Sequence, residues 1–300
     1  MVARVRDRTG TGVITIVAMT EKADELPDRE LIVAFGGRWL SEHPQRSIET
    51  AGRQVIMAWQ ALSELTLTLV RRRFPLTEFL RQCSFMAGVS ATPTLLVAIP
   101  IAVVVSIQIG SLVGQVGATT FIGAVNGLGI IRQGAPLVTS LMIAGAVGSS
   151  ICADLGSRTI REEIDAMRVM GVDPVSRLVA PRLLAAILVS MLLCGFVVFI
   201  GFATGYVFNV FIQDGTPGSY ISTFASFAVA ADLLVAIVKA AVFGALTAII
   251  ACDTGLHTEG GPGGVANAVN SAVVSSAIVL FAANIALTQI YNTVFPSKVL

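Results

Sequence analysis

Charge is scarce in this sequence, and that scarcity already narrows the class of protein. Charged residues make up 13% of the 300 residues, whereas about a quarter is usual in soluble domains. Hydrophobic residues make up 54%. A chain this apolar is predicted to be an integral membrane protein. Its formal net charge is only +1, so nucleic acid is not an expected partner.

Lysine is the scarcest of the charged residues. The chain has three lysines, Lys22, Lys239 and Lys298, and none of them follows a glycine. The phosphate-binding loop of nucleotide hydrolases needs a Gly-Lys pair, so this chain cannot contain one. We therefore expect a non-catalytic membrane protein with no nucleotide site of its own.

Cysteine is also sparse, with Cys83, Cys152, Cys194 and Cys252 far apart in or beside apolar stretches. No CxxC pair and no histidine cluster accompanies them, so small buried side chains are favoured over metal ligands. The sequence predicts no metal site and no cofactor in this chain.

The sequence before the apolar region is predicted to contain two parts. Residues 1–47 are polar with charges of both signs, and we expect a loosely ordered extension. The first apolar run, residues 12–19, is short and leads into acidic sequence, so no signal peptide is expected. Residues 48–82 form an amphipathic helix and a connector, and the helix either lies in the membrane interface or packs on protein. Arg71–Arg73 favour a cytoplasmic location for it.

Residues 83–300 form the predicted membrane domain, with an all-α fold of five transmembrane helices. The apolar segments cover about residues 85–110, 120–152, 183–211, 228–251 and 265–295. The second would be roughly 50 Å long as one helix, so a break is expected near its glycines and proline: Gly127, Gly129, Gly134 and Pro136. Five arginines between the second and third spans place that loop in the cytoplasm and the C-terminus on the opposite side.

That cytoplasmic loop is predicted to contain a short amphipathic helix. Thr159 and Glu162 have the spacing of a capping box, and Gly171 is a stop signal. Asp173-Pro174 would begin the next helix. Helical spacing puts four apolar residues on one face, together with the Glu163 carboxylate: Ile160, Ile164, Met167 and Met170. A carboxylate there suggests docking into a groove that holds a cation; the alternative is that Glu162 and Glu163 only favour the helix dipole.

The stretch GSSICADLGSRTIREEIDAMRVMGVDPVSRLVAPR, residues 148–182, closely resembles the most characteristic segment of the MlaE/YrbE family of ABC-transporter permeases. Its central ICADLGSRTIREEIDAM is most similar to the A-type YrbE subunits of actinobacterial mammalian-cell-entry (Mce) lipid importers. The resemblance extends from about residue 72 to residue 295.

The resemblance implies a permease subunit of an ATP-driven lipid importer in the cytoplasmic (inner) membrane. Its N-terminus would be cytoplasmic and its C-terminus periplasmic. Expected partners are a dimeric ABC ATPase that holds the ATP and Mg²⁺, a second, B-type permease, and periplasmic Mce-domain proteins. The helix in the cytoplasmic loop would be the coupling helix that receives ATPase motion, through eight residues: Glu162, Glu163, Ile164, Asp165, Ala166, Met167, Met170 and Gly171.

The resemblance also implies a lipid pathway along four residues: Arg132, Gln133, Pro136 and Asn284. Related permeases have an acid where Gln133 stands, and some have Asp where Asn284 stands. Arg132 is the single charge in residues 83–153, and an intramembrane arginine is a candidate functional residue. It would bind a lipid headgroup or pair with helix-end carbonyls.

Two other functions fit a multi-span chain. A secondary transporter or channel usually needs acids or paired broken helices at mid-membrane, and this chain has few charges there. A scaffold that anchors periplasmic lipid-binding proteins would give the cytoplasmic helix no purpose.

Overall fold

The computed structural model describes residues 50, 52–64, 76–213 and 215–294. This part of the chain is 92% helical and holds no strand, which confirms the predicted all-α fold. Internal contacts divide the chain into two units, Met1–Val55 and Ile56–Leu300. The predicted extension, residues 1–47, and the connector at residues 65–75 lie outside the described residues.

The described residues form eight helices besides a short 3-10 turn at Thr119–Phe121. Five are long and apolar enough to cross a membrane, which confirms the predicted number of spans. The helices are α1 (residues 52–64), α2 (Leu76–Gln115), α3 (Ile122–Ile160), α4 (Glu163–Val169), α5 (Val175–Ile212), α6 (Pro217–Phe227), α7 (Ala230–Leu256) and α8 (Gly261–Val294). The short helix α6 was not predicted, because its 11 residues are too few to span a membrane and no other helix signal was recognised between the third and fourth spans.

The predicted break in the second span is wrong. Helix α3 runs without interruption, and its glycines keep ordinary right-handed helical geometry. Two wider π-helical segments, Ile130–Gly134 and Ile143–Gly148, replace the break. At the first of them the Ala135 N–H bonds to the Ile130 carbonyl five residues back. Such adjustments satisfy the backbone around a proline, so Pro136 can follow without ending the helix.

Helices α3, α5 and α7 form the centre of the bundle. The largest buried cluster joins Ile151 of α3, Leu183 of α5 and Ala248 of α7. In the most hydrophobic windows of α2 and α8 only 22% of residues are buried, against 61% in α3. The two peripheral helices therefore leave most of their apolar surface for lipid or for another subunit.

Glycine allows α3, α5 and α6 to approach closely at one end of the bundle. A Cβ on Gly205 would lie 2.3 Å from Asn126 Nδ2 and 2.5 Å from the Tyr220 hydroxyl oxygen. Asn126 donates hydrogen bonds to Tyr220 (3.0 Å) and to Ser106 (3.1 Å). Burial raises the pKa of Tyr220 to about 12, so its phenol stays protonated. This polar contact anchors α6 to the spans.

Helix α1 has a buried side and an exposed apolar side. Met57 and Ala61 are buried in the same cluster as the central helices. Three apolar residues at helical spacing, Ile56, Trp59 and Leu62, are exposed. A helix in the membrane interface needs an exposed apolar stripe of this kind, and the interfacial location of α1 stays a prediction.

Candidate functional site

The cytoplasmic helix begins later than the capping-box spacing predicts. Helix α3 continues through Thr159 to Ile160, and α4 begins at Glu163. The Thr159 hydroxyl lies 3.0 Å from the Leu155 carbonyl and 3.2 Å from that of Gly255, so it does not cap α4. The predicted capping box is therefore wrong. Glu162 is instead the turn between the two helices, with a left-handed φ of 59°.

The end of α4 agrees with the prediction. Gly171 has a positive φ of 73°, and its N–H bonds to the Arg168 carbonyl at 3.0 Å. The Val172 N–H bonds to the Met167 carbonyl at 2.9 Å, which completes a Schellman cap. The Asp173 carboxylate then accepts from the backbone N–H of Ser176 at 2.9 Å, as an N-cap does.

Only part of the predicted apolar face of α4 is buried. Ile164 is 2% exposed, and Met167 packs against the same cluster. Met170 is 70% exposed, beyond the helix end. Within this chain the Glu163 carboxylate pairs with Arg161 at 3.1 Å and remains about half exposed, so its docking into a partner's groove stays a prediction.

Two apolar anchors thus fix α4 to the protein while its other side chains face outward. Among the predicted coupling residues, Glu162, Asp165, Ala166, Met170 and Gly171 are exposed. Val169 is 89% exposed and was not among the predicted residues. Sequence periodicity could not identify it, because Val169 does not share the face of Ile164 and Met167. The tip of α4 therefore combines exposed apolar and charged groups.

Partly buried polar contacts tie together the helix ends that carry α4. Arg182, at the start of α5, donates to the Asp154 carboxylate of α3 and to the Leu178 carbonyl. Arg158 also pairs with Asp154, at 3.2 Å. The contact of Thr159 with the Gly255 carbonyl adds the end of α7. The two helices on either side of α4 are therefore joined by more than the loop.

A second candidate site is a cavity of about 210 Å³ between α3, α7 and α8. Arg132 of α3 pairs with Asp232 of α7 at 3.0 Å and lies 5.8 Å from the centre of the Tyr291 ring. The Tyr291 hydroxyl of α8 donates to the other oxygen of Asp232. The sequence suggested a lipid headgroup or helix-end carbonyls as the partner of Arg132. Within the chain, its partner is a carboxylate 100 residues away.

The other predicted lipid-pathway residues divide between the cavity and the core. Gln133 lines the cavity together with Arg132, whereas Pro136 and Asn284 are buried and are not among the lining residues. Lys239 of α7 also lines the cavity, and its ammonium donates to the Thr288 hydroxyl at 2.8 Å. The lysine was noted from the sequence but had no predicted role.

The chain is similar to a family of membrane permeases over most of its length. Residues 79–290 match the family described as Permease MlaE. A probable ABC transporter permease protein of Synechocystis is 31% identical over 236 residues, which cover 79% of this chain and 90% of that protein. A probable ABC transporter permease protein of Rickettsia felis is 28% identical, over 81% of this chain and 96% of its own length.

A third relative is a chloroplast protein of Arabidopsis thaliana, named trigalactosyldiacylglycerol 1. It is 33% identical over 181 residues, which cover 59% of this chain and 51% of that protein. The family match covers α4 and most of the residues that line the cavity, and the five apolar helices lie within or across it. This chain is a multi-pass membrane protein that belongs to the MlaE family of ABC-transporter permeases.

Proposed function

We propose that this permease is the membrane subunit of an ATP-driven lipid importer and that α4 is the docking site for a separate ABC ATPase. The observation that carries the proposal is the two-sided structure of α4. Ile164 and Met167 hold it to the bundle, while Val169 and Met170 present apolar surface outward. An apolar tip with charges around it is typical of the centre and rim of a protein interface.

The position of α4 suits the transmission of force. Only Arg161 and Glu162 separate it from the end of α3, and residues 170–174 separate it from α5. A displacement of so short a connection must pass to the spans, because Asp154 and Arg182 already tie the two helix ends together. The eight predicted coupling residues stay in the proposal, with Val169 added as a principal contact.

The remaining partners and the orientation belong to the same proposal. The ATPase would be a dimer that holds ATP and Mg²⁺, and this chain would pair with a B-type YrbE permease and with periplasmic Mce-domain proteins. The arginine-rich segment around α4 supports a cytoplasmic location for it, with the N-terminus on the same side. The membrane would be the cytoplasmic one, and the C-terminus would face the periplasm.

A lipid cargo is supported by the family and by the surface of the bundle. The name of the Arabidopsis relative contains that of a glycerolipid. Helices α2 and α8 leave most of their apolar surface uncovered within this chain, and the cavity beside α8 contains charged groups. A path for an amphiphile needs both kinds of surface. Gln133 lines the cavity beside Arg132. Pro136 and Asn284 are buried outside the cavity lining and would shape the pathway through the packing of their helices.

The docking role can be tested with Val169→Glu, which puts a charge on the exposed apolar tip. We expect the ATPase to be lost when the membrane complex is purified, while the chain still folds. The matched control is Val116→Glu, since Val116 is 81% exposed and lies in the loop at the other end of α3. Docking through α4 is refuted if the ATPase still co-purifies with the Val169→Glu chain and the permease still stimulates its ATP hydrolysis.

The same complexes distinguish an ATP-driven permease from a secondary transporter. Lipid uptake into cells that lack the ATPase should stop if the proposal is right. Uptake that continues without the ATPase and follows an ion gradient would favour the secondary transporter. Periplasmic proteins that still assemble on a chain without transport activity would favour the scaffold.

A further inference from the structure

Helix α6 lies beside the first turns of α3, at the end of that helix opposite α4. Two close approaches run in the same order along both helices. A Cβ on Gly123 would collide with the Tyr220 carbonyl oxygen, and a Cβ on Gly127 would lie 2.9 Å from the Phe224 ring. Helix α6 therefore follows the beginning of α3 in the same direction.

The length of α3 sets the depth of α6 in the membrane. Ile122 lies 32 residues before Asp154, which is about 48 Å along a helix. With the average tilt of about 20°, this distance is about 45 Å across the membrane. A bilayer with its headgroups is about 40–45 Å thick. Since Asp154 belongs to the charged end beside α4, the beginning of α3, and α6 with it, lies at the level of the opposite headgroup layer.

The sequences that form α6 and the beginning of α3 contain no charge. Residues 82–131 hold no charged residue, and neither do residues 215–231. The nearest charged residues to α6 along the chain are Asp214 and Asp232. A helix that faces water usually has charged residues on its outer side. The composition of α6 therefore indicates a less polar surrounding.

The exposed side of α6 consists of apolar and small side chains. Ile221 is 48% exposed, and Ala225 is also exposed one turn later. At the end of the helix Phe227 is 43% exposed, and its ring meets that of Phe121 edge to face, with 6.4 Å between the centroids. At the same end of the bundle Phe211 of α5 is 74% exposed. Exposed apolar side chains thus reach this level on a span and on α6 alike.

The hydroxyls on α6 are satisfied by the helix itself. Ser222 and Thr223 both donate to the Ser219 carbonyl, at 3.1 Å and 2.7 Å. Ser226 donates to the Ser222 carbonyl at 2.7 Å. A hydroxyl that bonds back to the preceding turn does not need water as its partner. The exposed serines can therefore lie in an apolar layer without the cost of an unpaired donor.

We propose that α6 is an interfacial helix that lies in the membrane surface opposite α4, with Ile221, Ala225 and Phe227 against phospholipid. Phospholipid is the occupant that fits, because the face lacks the charged rim that a protein interface usually has. The hydrogen bond between Tyr220 and Asn126 holds the helix from the protein side. This inference goes beyond the proposed function, since it depends on neither the cargo nor the ATPase.

The test uses tryptophan fluorescence of the full-length chain in phosphatidylcholine nanodiscs, with the wild type, which has Trp39 and Trp59, as background. Ile221→Trp should lose most of its added fluorescence to lipid brominated near the headgroup end of the acyl chain. It should lose less to lipid brominated near the methyl end. Leu192→Trp, at a 67% exposed position of α5, should show the opposite order. Val169→Trp, at an 89% exposed position on α4, should be quenched by iodide from the water.

Ala225→Trp provides a second position on the same face and should behave as Ile221→Trp does. The inference is overturned if both variants are insensitive to brominated lipid and are quenched by iodide as strongly as Val169→Trp. Protection from iodide that appears only after a partner protein is added also overturns it, because a protein and not lipid would then cover α6. Neither result involves ATP or transport, so the proposed function would stand.

Discussion

Asparagine in place of Asp154 should destabilise the protein more than methionine in place of its partner Arg182. The two side chains form one ion pair but differ in burial. The Arg182 side chain is 2% exposed and that of Asp154 is 36% exposed. The order is set by what each substitution leaves behind, because a buried charge without a partner costs more than a lost contact.

In Asp154→Asn the buried guanidinium keeps its bond to the Leu178 carbonyl but loses its counter-ion. Removal of one partner from a buried ion pair typically lowers the free energy of unfolding by about 3–5 kcal/mol. The amide oxygen of the new asparagine can still accept a hydrogen bond from Arg182, so we expect a loss of about 3 kcal/mol. In Arg182→Met the thioether fills much of the same volume. Asp154 keeps its contact with Arg158 and remains partly solvated, so the expected loss is about 1 kcal/mol.

The free energy of unfolding can be measured by denaturant titration of the purified chain in mixed micelles. The double variant Asp154→Asn/Arg182→Met is the decisive control, since it removes the orphaned charge. It should be more stable than Asp154→Asn alone, by about 1–2 kcal/mol. The reasoning is refuted if the two single variants lose equal free energy of unfolding, or if the loss in the double variant is the sum of the two. Either result would show that the buried Arg182 charge does not need Asp154 as its counter-ion.

Two further predictions concern glycines and have matched controls within the chain. Gly205→Ala should lower the free energy of unfolding by about 1–3 kcal/mol, because the new Cβ would lie 2.3 Å from Asn126. Gly195→Ala, on the same helix, is the control: its Cβ meets nothing within 4 Å, so the variant should be neutral or stabilising in the same unfolding assay. Gly171→Ala forces a left-handed φ on alanine, which costs about 1–2 kcal/mol. Hydrogen exchange of the α4 amides should therefore accelerate about tenfold. The control, Gly218→Ala, should leave this exchange unchanged. Unchanged exchange in Gly171→Ala would show that its cap does not hold α4.

The features that sequence analysis predicted correctly are local ones. A span needs about 20 apolar residues in a row, and that requirement is visible without knowing any neighbour. The stop at Gly171 and the N-cap at Asp173 are also local, because each is satisfied by backbone groups within four residues. The position of the cytoplasmic helix between the second and third spans followed from these signals.

The predictions fail where a side chain finds its partner far away in the sequence and not among its neighbours. Thr159 has the spacing of a capping residue, but α3 continues through it and its hydroxyl reaches the Gly255 carbonyl, 96 residues away. Arg132 finds its partner, Asp232, on another span, and no short-range pattern marks such a pair.

Helix α3 connects the two candidate sites, and this connection bears on how the permease would work. It carries Arg132 at the cavity and Asp154 beside α4, 22 residues or about 33 Å apart along the helix. Under the proposed function, motion received at α4 would reach the cavity along one helix, without passing through several loops. The π-helical segment Ile143–Gly148 lies between these residues and is buried against α7 and α8. Wide turns of this kind are frequent at functional positions in helices, because an extra residue weakens the regular ladder locally. The segment is therefore where α3 would bend if its two ends moved by different amounts, and the Arg132–Asp232 pair, which joins α3 to α7, is the contact that such a bend would open or close.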